Sequence, residues 1–333
     1  MKIKKRNNLY PLLTIMMTIG LIFACDDGGG GTDSVDYGIT EKYTNFGQNI
    51  EFTMRLVPKG TFTLHEGGPE MTISKDYLMA ETEVTQEIWG SVMGNNPSEG
   101  VSSLEPGDIP KLRPVDAVTW TQAIAFCNKL SLLTGRLPVY SVKQAGSTEE
   151  INWHELKFKE IPPAPAPNTT EWLNVEVDWD ANGYRLPTEM EWMWAAMGAR
   201  DSATGYAKKF SGNTIGKNDD DINAYAWYSG NPLTKSKTHQ VAKLKPNELG
   251  LYDMSGNVQE WCWDRYYPEY PEPIENTVDY SGPSKGWEDR VKHGGSYVDY
   301  SDICTITFRS GGEPSGSDGS NHHTGLRVVR EKP

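Results

Sequence analysis

Between Trp120 and Leu130 apolar residues return at helical spacing, and the pattern predicts a helix running up to Gly135. Two shorter helices announce themselves by their start signals. Thr85 stands as an N-cap before Ile88 and Trp89 on one face, with an end by Gly94. Thr188 and Glu191 form a capping box, continued by Met193, Trp194, Ala195 and Ala196. Residues 52–63 alternate and turn at Pro58-Lys59-Gly60, which reads as a hairpin. Residues 140–177 are irregular and contain the proline-rich run 162–167, read as a stiff surface insertion. From Gly198 onward Gly, Asn and Asp break every period, predicting turns and short strands.

The amino terminus has a different pattern. Lys2, Lys4, Lys5 and Arg6 precede an apolar run over 9–24, so residues 1–24 read as a signal peptide. Ile22-Phe23-Ala24-Cys25 resembles the bacterial lipobox, which implies cleavage before Cys25, lipidation of that residue and a membrane anchor made of acyl chains. A membrane-spanning helix fits less well, because the run is short and Asp26 and Asp27 follow at once. Residues 25–36, with four consecutive glycines from Gly28, read as a tether, and residues 50–333 as one domain. The expected location is that of an exported lipoprotein at the outer membrane or cell surface.

Composition narrows the partners. Among 333 residues, 32 Lys+Arg face 45 Asp+Glu, and removing the four leading cations takes the net charge from -13 to -17. Such an acid excess removes the attraction that drives phosphate-backbone binding, so nucleic acid is not an expected partner. With 33 Gly, 21 Pro, 11 Trp and 16 Tyr, the chain should be rich in loops held together by large aromatics. Once Cys25 is spent on lipid, Cys127, Cys262 and Cys304 remain, so at least one stays unpaired; Cys127, mid-helix, reads as a small apolar residue.

Several segments occur in a fixed order: Met54-Arg55-Leu56-Val57-Pro58-Lys59-Gly60-Thr61-Phe62, Glu83-Val84-Thr85, Arg113-Pro114-Val115, the stretch from Tyr184 to Trp192, Gly250-Leu251-Tyr252-Asp253-Met254-Ser255-Gly256-Asn257-Val258-Gln259-Glu260-Trp261, His293-Gly294-Gly295-Ser296-Tyr297 and Gly325-Leu326-Arg327-Val328. The series resembles the formylglycine-generating, sulfatase-modifying enzyme family. That resemblance implies an α+β, C-type-lectin-like fold with little regular structure. It also implies, for the enzymes, two copper-binding cysteines five residues apart just after the Gly-Gly-Ser-aromatic motif. In this chain Asp299 falls on the first of these, and only Cys304 remains. A carboxylate is a poor substitute in a two-sulfur Cu(I) site, so no copper and no catalysis are expected.

The same resemblance implies a structural calcium site at Asp253, Gly256, Val258 and Glu260, since a hard dication takes carboxylate and carbonyl oxygens. A turn organised by Asn257 and Glu260 through hydrogen bonds alone accounts for these residues equally well. Asn223 and Ala224 resemble the start of the family's other calcium site, without an evident later acidic ligand over 234–241.

A second group with this fold lacks the catalytic pair: the variable proteins of diversity-generating retroelements, whose scaffold displays rewritten side chains near the C-terminus. The lipoprotein signal and the terminal placement resemble treponemal members of that group. Residues 294–329 would then be the variable region. The candidate ligand-binding residues are Val298, Asp299, Tyr300, Asp302, Thr305, Thr307, Ser310, Ser315, Ser317, Asp318, Ser320, Asn321, His322 and His323. Nearly all are residues reachable by changing adenines of an asparagine codon, and Tyr, Ser, Gly and Asn are the side chains of a paratope. Alternation places Ile303, Cys304, Ile306 and Arg309 inside. The adjacent His322 and His323 read as solvated, because neighbours on an irregular loop rarely converge on one ion. The expected partner is a protein or other surface molecule. A formylglycine-generating oxidase using Cys304 and a calcium-dependent sugar-binding lectin are the two alternatives.

Overall fold

In the computed structural model, the structure describes residues 38–333 apart from 46–47, 66, 99–106, 163–168, 201–207, 213–218, 271–273, 275–276, 284–287 and 317–321. The signal peptide, Cys25 and the tether lie outside the described residues. No helix among the described residues is long and apolar enough to cross a membrane.

The strands are short: β1 (Gly38–Asn45), β2 (Gln48–Val57), β3 (Gly60–Thr63), β4 (Glu70–Ile73) and β5 (Tyr77–Ala80) come first. Helices α1 (Gln86–Met93) and α2 (Trp120–Leu133) follow, then β6 (Tyr140–Ser141), α3 (Thr169–Leu173), β7 (Glu176–Val177) and α4 (Glu189–Ala196). The remainder holds β8 (Gln259–Arg265), β9 (Arg290–His293), β10 (Ser310–Gly312), β11 (Thr324–Gly325) and β12 (Val329–Glu331). One antiparallel sheet has the order β1-β2-β5-β12, so the C-terminus closes against the N-terminal strands. A second, β10-β9-β8-β11, is antiparallel except for its β8/β11 pair. The mixture of few helices and curled sheets is the α+β, C-type-lectin-like architecture expected.

All three expected helices form where their caps lie. Thr85 accepts from Ile88 N, Gly94 closes α1 at φ 75°, and Thr188 with Glu191 completes the capping box of α4. A further box, Thr119 with Gln122, starts α2. Such caps satisfy amide donors that the helix itself cannot. Two expectations are corrected. Residues 52–63 are not a hairpin, because β2 pairs with β1 and β5 while β3 pairs with β4. Nor is 140–177 a surface appendage: Trp153, Ile161 and Trp172 pack into the core, and the Pro162 carbonyl accepts from Thr121 Oγ1. The rest of the proline-rich run lies outside the described residues.

Two apolar cores result. One gathers α1, α2 and the first sheet around Trp89, Trp120 and Phe126; the other gathers β3, β4, α4 and β8–β9 around Phe62, Trp192 and Met254. A third, small cluster of Phe210, Ile222, Ala226, Tyr228 and Cys304 underlies the C-terminal segment.

Candidate functional site

The segment after β9 begins with Gly294 and Gly295 at φ 89° and 66°, a left-handed turn that side chains resist. A Cβ on Gly295 would stand 2.7 Å from Cys304 Sγ, so the glycine lets the returning chain pack directly on it. Asp299 closes the turn: its Oδ2 accepts from Ser296 N (2.8 Å) and Ser296 Oγ (2.6 Å). Further turns follow, with Ile303 N donating to Tyr300 O and Cys304 N to Ser301 O.

This turn structure decides which candidates face outward. Val298, Tyr300, Asp302, Thr307 and His322 are exposed, whereas Asp299 and His323 are half-buried. Thr305 is buried between Cys304 and Ile306, and its Oγ1 accepts from Phe308 N. Its assignment to the outer face is thus corrected: alternation presumes a strand, and here three consecutive residues of a turn point inward. Ser315 is likewise buried, its hydroxyl donating to Glu313 Oε1 while the preceding Pro314 carbonyl caps α2 at Thr121 N. Ser310 belongs to β10, opposite Lys292, and its hydroxyl is buried. Ser317, Asp318, Ser320 and Asn321 lie outside the described residues. Of the residues placed inside, Cys304 and Ile306 are buried, while Ile303 is half-buried.

Cys304 is fully buried. Burial, with Asp299 and Asp302 adding, pushes its thiol well above the ordinary range, and the thiol donates to Ser296 O at 4.0 Å. A thiol kept protonated is a weaker nucleophile than a thiolate. Cys127 and Cys262 are also buried and free.

A buried polar network supports the segment from below. Glu189, at the start of α4, accepts from His293 Nε2 (3.0 Å), Tyr270 OH (2.9 Å), Arg309 Nε (2.6 Å) and Arg309 Nη2 (2.9 Å). The Arg309 guanidinium also lies over the Tyr270 ring at 4.2 Å, so the far end of the segment after β9 is pinned to α4. Alternation alone places Arg309 inside. Glu189 is visible in the sequence only as a helix residue, since its partners His293 and Arg309 are more than a hundred positions away.

The calcium candidates adjoin this segment: Gly256 N donates to the Gly294 carbonyl (2.7 Å) and Tyr297 N to the Asn257 carbonyl (2.9 Å). Glu260 spends both oxygens: Oε1 accepts from Arg327 Nη2 (2.7 Å) and Nε (3.0 Å), and Oε2 from Trp192 Nε1 (2.7 Å). Asp253 Oδ2 accepts from Ala242 N, leaving Oδ1 buried without a donor. Glu83 accepts from Val258 N and Asn257 Nδ2. Gly256 has φ 84°, and a Cβ there would stand 2.2 Å from the Trp227 carbonyl oxygen, which accounts for the glycine by backbone approach. Calcium draws about six to eight oxygens, and one open carboxylate oxygen beside a guanidinium does not fit it. Burial, with Asp253 and Glu260 adding, holds Glu83 well above the usual carboxylate range, and burial lifts Asp253 to about 6. Among the described residues no group of three or more His, Cys, Asp or Glu could hold a metal ion. At the other resembling site the Ala224 carbonyl is taken by Lys245 N and the Asn223 carbonyl by Asn231 Nδ2.

Chelation should therefore leave stability unchanged. Calcium bound at a hundredfold over Kd would add about 2.7 kcal/mol, or roughly 4–5 °C in Tm for a domain of this size. Thermal unfolding with EGTA and with added calcium should differ by less than about 1 °C, on that scale; a calcium-dependent rise of several degrees would refute this arrangement.

Comparison with known proteins places the geometry. The family described as the sulfatase-modifying factor enzyme 1-like domain matches residues 42–332. The chain is 33% identical to the chaperone protein LppX of Paenibacillus barcinonensis, over 89% of this chain and 95% of that protein. It is 32% identical to the formylglycine-generating enzyme of Thermomonospora curvata over 52% of this chain and 61% of that enzyme. Treponema denticola variable protein 1 superposes with a TM-score of 0.75 at 37% identity, covering 88% of this chain and 99% of the other. A structure of CarF, with a TM-score of 0.58 at 23% identity and covering 85% and 99%, shares the fold.

Proposed function

Because the chain belongs to the family of sulfatase-modifying factor enzyme 1-like domains and carries Asp299 where the enzymes of that resemblance carry a cysteine, we propose that it is a non-catalytic display protein. It is exported, held at a membrane through lipidated Cys25, and binds its ligand through C-terminal side chains diversified by a retroelement. One observation carries this reading. Asp299 closes a turn that exposes Val298, Tyr300, Asp302 and Thr307 above a sealed Cys304. The likeness to Treponema denticola variable protein 1 over nearly the whole of that chain supports it. Rigid turns with adaptable side chains are how a paratope limits the entropy lost on binding. The likeness to the chaperone protein LppX favours a second reading, in which the chain acts as a chaperone.

Two measurements test the proposal. Coding sequences from different isolates should concentrate their substitutions at the codons of Val298, Tyr300, Asp302, Thr307 and His322, and spare Gly295, Cys304 and Arg309. An even scatter along the chain would sink the display reading. Incubated with copper, oxygen and a cysteine-containing sulfatase peptide, the purified protein should leave the peptide thiol intact; an aldehyde product would establish the enzyme instead.

A further inference from the structure

The exposed segment does not stand alone at its end of the molecule. Ser229 N donates to the Asp299 carbonyl at 2.8 Å, which sets the turn over 229–234 beside the displayed one. Tyr228, just before it, packs with Cys304 in the same small apolar cluster. The two turns are therefore bonded to each other and share one floor.

The neighbouring turn is tightly organised. Asn231 is buried; its Nδ2 donates to Ala226 O (2.9 Å) and its Oδ1 accepts from Leu233 N (3.0 Å). Thr234 N returns to Asn231 O, and Thr234 O meets His239 Nε2 at 2.9 Å. The His239 ring in turn stacks on Trp227 at 3.9 Å. Lys235 and Ser236 then hold φ of 51° and 53°, a conformation that non-glycine residues keep only when their surroundings dictate it. At the tip of this fixed turn Leu233 is 61% exposed, alongside a segment in which Tyr300 is 73% and Val298 38% exposed.

A single exposed leucine means nothing by itself. On a rigid turn hydrogen-bonded to the ligand-facing segment, it is a preorganised apolar contact that costs little entropy to use. We infer that Leu233 is an invariant anchor of the binding surface, and that the ligand is a folded protein presenting an apolar patch. This rests on the display reading above. The two bonded turns expose Leu233, Val298 and Tyr300, together with the polar Asp302 and Thr307, a mixture of apolar and polar groups like that of a protein interface. A sugar would leave hydroxyls without partners against leucine and valine, at a cost in desolvation.

A cell-surface display library randomised at residues 298, 300, 302, 307 and 322, selected against lysozyme, tests the assignment. Leu233→Asp should weaken most selected binders by about tenfold or more in Kd, the scale of an interface anchor, and Leu233→Ser should act in the same direction. Leu137→Asp, at an equally exposed leucine elsewhere (66%), should stay within about twofold, as a change outside the contact does. Display level, read through a C-terminal tag, confirms that each variant folds. If Leu233→Asp leaves Kd within about twofold across well-displayed binders, the anchor is refuted while the display surface stands. An empty selection overturns the display reading and the anchor with it.

Discussion

Replacing Arg327 with leucine should lower the unfolding free energy by about 3–5 kcal/mol, the usual result of stripping one partner from a buried ion pair. Its guanidinium is fully buried and makes bonds to Glu260, the Ala80 carbonyl and the Tyr252 carbonyl, tying the second sheet to β5. Without it the Glu260 carboxylate would stay buried, beside Glu83 and Asp253, with no guanidinium to meet it. The urea midpoint of Arg327→Leu measures the loss. Replacing Glu260 by leucine as well should recover a good part of it, because removing both charges is far less costly than removing one. A single variant that keeps its stability, especially one that does so only with calcium present, would show that Glu260 answers to an ion rather than to Arg327.

Glu189→Gln should cost about 3 kcal/mol at neutral pH, since each tenfold change in proton affinity on folding is worth about 1.4 kcal/mol. Burial works to raise the Glu189 carboxyl, but the Arg309 charge and the His293 bond outweigh it and hold the group down, from 4.5 to about 2. A carboxylate depressed in the folded state stabilises it fully above its unfolded value. That contribution disappears as pH falls from 4.5 towards about 2. The gap in stability between the native protein and Glu189→Gln should therefore be constant from pH 7 down to the ordinary carboxylate range and then close. Parallel profiles down to strong acid would mean that the ionised carboxylate is not the stabilising species. Freed of its partner, Arg309 would no longer pin the segment after β9, and amide exchange over 298–308 should quicken before the rest of the domain.

Some of this is legible without coordinates because its causes are local. The Thr188–Glu191 box and the Thr85 cap involve atoms three residues apart, so local composition announces them. The order of the segments from Met54 to Val328 marks the fold, and the resemblance puts Asp299 where it implies a cysteine. Facing within the C-terminal segment is less legible. Tyr300 and Asp302 face outward as alternation predicts, but Thr305, Ser310 and Ser315 point inward, because turns have no fixed side-chain period.

What the residues by themselves determined, then, is everything that depends on neighbours along the chain: helix starts, turn-rich halves, the acid balance and a polar, aromatic tail. What only the tertiary structure decided is which distant groups meet. Glu260 faces Arg327 from 67 positions away, Glu189 faces Arg309 from 120, and Ser229 lies beside Asp299. The energy of a buried carboxylate depends on the charge that reaches it through space in a medium of low dielectric. No spacing in the sequence encodes whether that charge is a guanidinium, a proton or an ion.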